Sequence, residues 1–322
     1  MKFLPSLLAA GVLVDVSLAA PPPSLAPRAC TTPKVRKEWS KATTSERSSY
    51  INAVKCLTTK PSKLGKSHRL YDDFVWVHAT LFPYVHNVAA FLPWHRYFLT
   101  LYEKSLQQCG YTGNLMYWDW VADSSAPSKA KVFSPTTGFG GKSNQTGTST
   151  EWGTKCVLDG PFKPPFQLQY WNQDVRPHCL MRIFEPGYPE YNITEMHGDN
   201  YSPAVMAQVN AETTFNGFAN HLENGPHTAV HSGVGNLDGD MGPQSSSPND
   251  PLFFLHHTQV DRLWYLWQRQ NPATRTLDYS GYVWPDYSDA TLDDNLQMLG
   301  LGVNMTVRAF MDTNAANLCY KY

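Results

Sequence analysis

The chain has 322 residues and a formal net charge of −1, with 26 Lys and Arg against 27 Asp and Glu. The charges are dispersed and form no long block of one sign, which argues against a nucleic acid partner. The length suits one large domain or two smaller ones, and the lack of an internal repeat or a second apolar span favours one.

The chain opens with MKFLPSLLAAGVLVDVSLAA, in which an early Lys2 precedes an apolar run from Phe3 to Val14 and then small residues. This is the pattern of a secretory signal peptide, placed at residues 1–19 with cleavage near Ala19 or Ala20. Asp15 interrupts the run too early for a membrane-spanning helix, which needs about 20 apolar residues. Residues 20–29, with PPPSLAPR, read as a linker or a short pro-segment ending near Arg28, so the mature domain spans 30–322. The expected product is secreted and extracellular, with no membrane attachment once the signal is removed.

VRKEWSKATTSERSSYINAVKCL carries apolar residues at helical spacing, and Trp39, Tyr50, Val54 and Leu57 are the expected buried face. A second helix is predicted over YDDFVWVHATLF, stopping before Pro83. A third covers FLPWHRYFLTLYEKSLQQCG, with Pro93 in its first turn and Gly110 as its stop. From about Ala122 to Asn200 the chain is rich in Gly, Ser, Thr and Pro, which predicts irregular structure with short strands over a helical core. Helical character returns in SPAVMAQVNAETTFNGFANHLEN and is strong in DPLFFLHHTQVDRLWYLWQRQ, closed by Asn271-Pro272. The remainder reads as loops and strands.

Six cysteines, Cys30, Cys56, Cys109, Cys156, Cys179 and Cys319, in a chain with a signal peptide point to disulfides. They allow fifteen pairings. Joining Cys30 to Cys319 would close the largest loop, which the chain-entropy argument favours most. No two cysteines have the CxxC spacing of a zinc site. N-glycans are expected at the sequons of Asn144, Asn192, Asn200 and Asn304.

Seven of the eleven histidines fall into two clusters: His78, His86 and His95, then His227, His231, His256 and His257. In HTAVH, His227 and His231 stand four apart, so both imidazoles leave one helix face about a turn apart and can share one ion. The third ligand of that cluster comes from the helix carrying HHTQVD, by His256 or His257. Neither trio contains a carboxylate or thiolate at ligand spacing. All-imidazole coordination suits zinc, copper, iron or nickel and is poor for magnesium or calcium. One trio alone would fit a catalytic zinc. The doubling decides, because six neutral imidazoles leave the charge of two ions uncancelled unless an anion bridges them, and reduced dioxygen supplies one.

At these residues the sequence resembles the type 3 copper family of tyrosinases, catechol oxidases and hemocyanins, and most of all its short fungal members. FLPWHRYFLTLYEKSL is similar to the first copper signature, PHTAVHSGVG and SSPNDPLFFLHHTQVDRLWYLWQ to the second, and the final YKY to the Y-x-Y that ends the catalytic domain. The resemblance implies a mainly α fold, a four-helix bundle core holding a dinuclear copper site, with irregular loops and short β strands around it. It implies His78, His86 and His95 on the first of two copper ions and His227, His231 and His257 on the second. In the family the ligand stands four residues before the aspartate of H-x-x-x-D, and Asp261 therefore selects His257. His256 points about 100° away around the helix and stands behind the ligands. Asp261 and Arg262 are expected to fix a ring or a helix end, Phe253 to pack beside the site, and Trp264, Leu266 and Trp267 to be core.

The activity that the resemblance implies is oxidation of o-diphenols to o-quinones, with dioxygen and small phenols as partners. Glu223, four residues before His227, matches the family glutamate that orients a water to take phenolic protons. Monophenol hydroxylation goes in much of the family with an Asn directly after the first histidine of the second site, where this chain has Thr228. Ser232 follows His231. Weak or absent action on monophenols is therefore expected. Many relatives carry a Cys–His thioether, but the residue two before His86 is Tyr84, so that crosslink is not expected. Gln244 falls where relatives guard the second copper and would make a polar entrance. Because YKY stands at the chain's end, the covering C-terminal domain of many relatives is expected to be absent, as in a short type. The rival readings are a full tyrosinase, an o-aminophenol oxidase, a dioxygen carrier, a zinc hydrolase using one trio, and a non-catalytic binding glycoprotein.

Overall fold

Thr43 sets where the first helix begins. Its hydroxyl accepts from the Glu46 N–H at 3.2 Å while the Glu46 carboxylate accepts from the Thr43 N–H at 2.8 Å, a reciprocal cap that satisfies two otherwise orphaned donors. Helix α1 is therefore Thr44–Leu57 rather than a span from Val35. Trp39, in a 3-10 turn ahead of it, is fully buried with Tyr50, Val54 and Leu57 as expected. The computed structural model describes residues 30–144, 155–187 and 195–322, so the expected signal and linker and the Asn192 sequon lie outside the described residues.

Helix α2, Leu70–Val85, runs past Pro83 instead of stopping before it. Proline lacks the N–H that would bond to the carbonyl four residues back. That carbonyl, Ala79 C=O, accepts from the Gln173 side-chain amide at 3.4 Å, which helps the last turn persist. Helix α3, Phe91–Gln108, keeps Pro93 in its first turn and ends ahead of Gly110 at φ +82°. The later helical stretch divides into α4 (Pro203–Asn210) and α5 (Phe215–Leu222), where the Thr214 hydroxyl caps by accepting from the Gly217 N–H. A π turn over Glu223–His227 then leads into α6 (Thr228–Gly235). Helix α7, Leu252–Gln270, is followed by the short α8, Pro272–Arg275.

Eight strands form four two-stranded pairs among the described residues: β1 (Lys34–Val35), β2 (Lys37–Glu38), β3 (Met116–Tyr117), β4 (Leu168–Trp171), β5 (Asp174–His178), β6 (Asn295–Leu296), β7 (Met305–Thr306) and β8 (Tyr320–Lys321). β1 pairs with β8 and β2 with β3, both parallel, whereas β4–β5 and β6–β7 are antiparallel hairpins. The architecture is thus mainly helical, with α2, α3, α6 and α7 around the histidines and short strands outside.

One turn below the histidines, Phe74 on α2, Phe98 and Tyr102 on α3 and Phe254 on α7 interlock, with ring centroids of Tyr102 and Phe254 3.4 Å apart. Phe74, Phe98 and Phe254 are each three or four residues from a histidine of their own helix, and Tyr102 lies a further turn along α3, so the packing that joins the helices also aligns the imidazoles. Trp264 and Trp267 are buried as expected, but Leu266 is 39% exposed, because it lies on the opposite face of α7.

Disulfides join Cys30 to Cys319, Cys56 to Cys109 and Cys156 to Cys179. The first pins the two ends of the domain beside the β1–β8 pair. Asp261 on α7 completes that closure: it accepts from Arg96 Nε at 2.6 Å, from Arg36 Nη1 at 3.0 Å and from the hydroxyls of Tyr320 and Tyr322. Of the two roles expected of Asp261, fixing a ring or a helix end, the first is corrected here, since its carboxylate is taken by two guanidiniums and two phenols. Burial would raise its pKa, but Arg96 and Arg36 hold it below the ordinary carboxylate value. Arg262 points away, with its guanidinium over the Tyr117 ring and 3.6 Å from Asp119. Among the described residues no helix is long and apolar enough to cross a membrane.

Candidate metal centre

The kink-tolerant end of α2 and the turn after it place the first three histidines. His78 lies on α2, His86 caps that helix in extended backbone, and Asn87 at φ +55° turns the chain toward α3, where His95 stands one turn in. Their ring centroids are 5.0 to 5.5 Å apart. In the second group the π turn ends at His227, α6 carries His231, and α7 carries His256 and His257. The ligand-capable atoms of each group lie within 4.8 Å of one another. The second group thus includes both members of the adjacent pair.

All seven rings are buried, none more than 4% exposed. Burial keeps them neutral, pushing His78 down to about 3 and His231 down to about 4, and the other five well below the ordinary value. A neutral imidazole with one N–H donated away presents a lone pair at its other nitrogen. Five rings do this through Nδ1, which donates to a backbone carbonyl: His78 to Ser245 at 2.8 Å, His86 to Phe82 at 3.3 Å, His95 to Phe91 at 2.7 Å, His227 to Glu223 at 3.1 Å and His231 to Met241 at 2.8 Å.

That tautomer leaves Nε2 without a proton. His78 Nε2 and His95 Nε2 then face each other at 3.3 Å as two lone pairs, and the buried Nε2 of His227 has no partner. Such an arrangement is costly for a protein alone and is relieved by a cation between the rings. Two groups of neutral, converging imidazoles, with no carboxylate among them, therefore fit two borderline-soft metal ions.

His256 and His257 differ in what they touch. The His257 ring stacks on His95 of the other group at 4.3 Å and lies tilted against Phe253 at 4.1 Å, so it stands between the groups. His256 packs against His227 and His231 on the other side and approaches Trp120 at 6.1 Å. Neither ring has a hydrogen-bond partner at either nitrogen. Phe253, fully buried, packs against His78, His95, His231 and His257, and Phe91 approaches His86, His95, His227 and His257. These two phenylalanines form an apolar wall against both groups.

Glu223 is 4% exposed and accepts from the Asn87 N–H at 2.9 Å, so the residue after His86 holds the carboxylate that stands one turn before His227. Burial raises its pKa to about 8, partly offset by that hydrogen bond. Thr228 donates its hydroxyl to the Glu223 carbonyl at 2.8 Å and accepts from Gln244 Nε2 at 3.2 Å. Gln244 thus lies against Thr228. No cysteine is free to form a thioether with His86.

Sequence reasoning missed the segment that anchors both groups. The turn between α6 and α7 supplies the Met241 carbonyl to His231 and the Ser245 carbonyl to His78, one for each group. This turn is held from outside by the β4–β5 hairpin: Asp240 pairs with His178 at 2.8 Å and accepts from the Met181 N–H, Asn249 donates to the Tyr170 carbonyl, and the Ser245 hydroxyl donates to Asn172. Backbone carbonyls carry no residue signature, so no motif could have marked them.

Comparison with known proteins agrees with this geometry. The common central domain of tyrosinase matches residues 68–270. The chain is 39% identical to the tyrosinase-like protein phomQ1 of Diaporthe leptostromiformis, over 92% of this chain and 79% of that protein. It is 37% identical to tyrosinase ustQ of Aspergillus flavus, over 91% and 80%. Among solved structures, a polyphenol oxidase from Thermothelomyces thermophila superposes with a TM-score of 0.73 and 27% identity, covering 90% of this chain and 88% of that one. With that match across more than half its length, the chain belongs to the tyrosinase family, the copper-dependent phenol oxidoreductases built on a dinuclear type 3 copper centre.

Proposed function

We propose that the protein oxidises o-diphenols to o-quinones and acts weakly or not at all on monophenols. In this reading His78, His86 and His95 hold one copper, and His227, His231 and His257 hold the other. The stacking of His257 on His95 across the two groups supports it over His256 as the sixth ligand.

Copper in those sites would supply electron exchange between dioxygen and the diphenol. Two diphenols lose four electrons and four protons to one dioxygen, giving two quinones and two waters. The chain has to place the ring, shed water and remove the phenolic protons. Phe91 and Phe253 do the first two, by walling the site. Glu223 receives protons, directly or through a water, because its buried carboxylate stands one turn before His227, beside the site.

The observation that carries the restriction to diphenols is at Thr228. Its hydroxyl hydrogen is committed to the Glu223 carbonyl while its oxygen accepts from Gln244, so unlike an amide it has no free N–H or O–H to donate to a water on the Glu223 carboxylate. The name of the Aspergillus flavus relative supports the competing reading of a full tyrosinase. A panel of monophenols, o-diphenols and o-aminophenols on copper-loaded protein separates them. Rapid catechol turnover with slow tyrosine turnover is expected, and fast tyrosine turnover without a lag would overturn the restriction. Thr228→Asn should raise the tyrosine rate relative to the catechol rate.

We further assign residues 1–19 to a secretory signal, 20–29 to a linker or pro-segment and 30–322 to the catalytic domain. The three disulfides support secretion. Exposed Asn144, Asn200 and Asn304 are accessible for glycan attachment, and Asn192 is a fourth sequon.

A further inference from the structure

Behind the first histidine group, the end of α2, the start of α3 and the segment 279–299 enclose a cavity of about 520 Å³. That is within the range of small-molecule sites. Its walls are mostly apolar, with Leu81, Val85 and Trp94 inside. Tyr84, Tyr282 and Trp284 line it as well and are 48%, 38% and 37% exposed. Tyr287 packs on Tyr282 and Trp284 at 5.2 and 5.3 Å, so the aromatic cluster is continuous. Aromatic rings gathered at the surface around a concavity usually mark recognition rather than core.

The lining also states what it would accept. It contains no Lys, Arg or His, and its one carboxylate, Asp294, has both oxygens taken by the N–H and hydroxyl of Thr291. An anion finds no counter-charge there, and a cation would have to share Asp294 with Thr291. The buried Thr80 hydroxyl has no partner. Its oxygen has almost no accessible surface, so it gives the cavity no exposed hydrogen-bonding group.

We propose that this cavity is a second binding site, for a neutral aromatic molecule of the phenol or aryl ether class, distinct from the site of oxidation. The choice of phenols rests on the function proposed above, whereas the cavity and its neutral, aromatic lining do not. Occupancy would be felt at the first histidine group, because the Trp94 ring that walls the cavity lies 5.9 Å from His78 and 4.9 Å from His95. Trp94 is held in place by donating to the Gln297 carbonyl at 2.8 Å, and Gln297 lines the same cavity. The part of α2 that lines it, Thr80 to Val85, runs from His78 to His86. The site is therefore placed to adjust turnover rather than to perform it.

The test uses 1,2-dimethoxybenzene, which has no phenolic proton to lose, titrated calorimetrically into copper-loaded protein. One saturable equivalent is expected. Trp284→Ala should weaken it about tenfold and Tyr282→Ala about fivefold, each for one lost aromatic contact. Both variants should keep the copper content and the catechol KM of the parent. In the parent, the probe should change kcat for catechol and leave KM nearly unchanged. Absence of saturable binding, equal binding by parent and both variants, or purely competitive inhibition of catechol oxidation would overturn the proposal. Quinone formation by the same preparations, without the probe, reports separately on the oxidase reading.

Discussion

In the first histidine group every ring has its Nδ1 on a backbone carbonyl, whereas in the second only His227 and His231 do, and the pair on α7 has no hydrogen-bond partner. The first group is fixed by hydrogen bonds, one of them from the distant Ser245. The second relies on packing for its last member, the His257 ring, against which His95 and Phe253 lie at 4.3 and 4.1 Å. The lesson is that two sites of the same chemistry need not be held by the same forces, and they should fail differently when disturbed.

The largest expected effect concerns that last member. His257→Ala should lower copper from two ions per chain to one and reduce catechol turnover by at least about 1,000-fold, since a metal contributes several kcal/mol to the transition state. His256→Ala should keep both ions. Exchange of these outcomes would show that packing between the groups does not choose the ligand.

Next comes Asp261→Ala, which strands two buried guanidiniums and should cost about 3–5 kcal/mol in urea unfolding. Because Asp261 is held below its unfolded value, its stabilisation is present above about pH 4 and is lost as pH falls through the folded pKa. The variant should accordingly lose less stability than the parent on acidification through that window, as acid titrations of unfolding would show.

The difference between the groups is sharpened by two smaller changes. Phe253→Leu should speed copper loss to a chelator at the second site more than at the first, by removing the ring that supports His257. Gln173→Ala should act on the first, by withdrawing the donor to Ala79 beside His78, for about 0.5 kcal/mol or less in unfolding, given the long 3.4 Å contact.

Much of this was legible beforehand, for a physical reason. Helical period and paired histidines are properties of side chains, so the helices, the two clusters and the buried faces of Trp39, Tyr50, Val54 and Leu57 could be read from spacing. Pro83 misled, because a helix tolerates proline when a side chain from elsewhere serves the freed carbonyl. The true start of α1 was written in Thr43-x-x-Glu46 and was passed over for apolar periodicity. Asp261 stands out in the sequence but its partners do not, since nothing local tells that Arg36, Tyr320 and Tyr322 meet it across the whole chain. The carbonyls of Met241 and Ser245 leave no trace in sequence at all.

The central claim is that the two imidazole groups hold copper and oxidise diphenols. Elemental analysis of the purified protein alongside catechol oxidation, followed by quinone absorbance, tests it most directly. Two coppers per chain with quinone formation is the predicted result, and a single zinc, or two coppers without quinone, would contradict it.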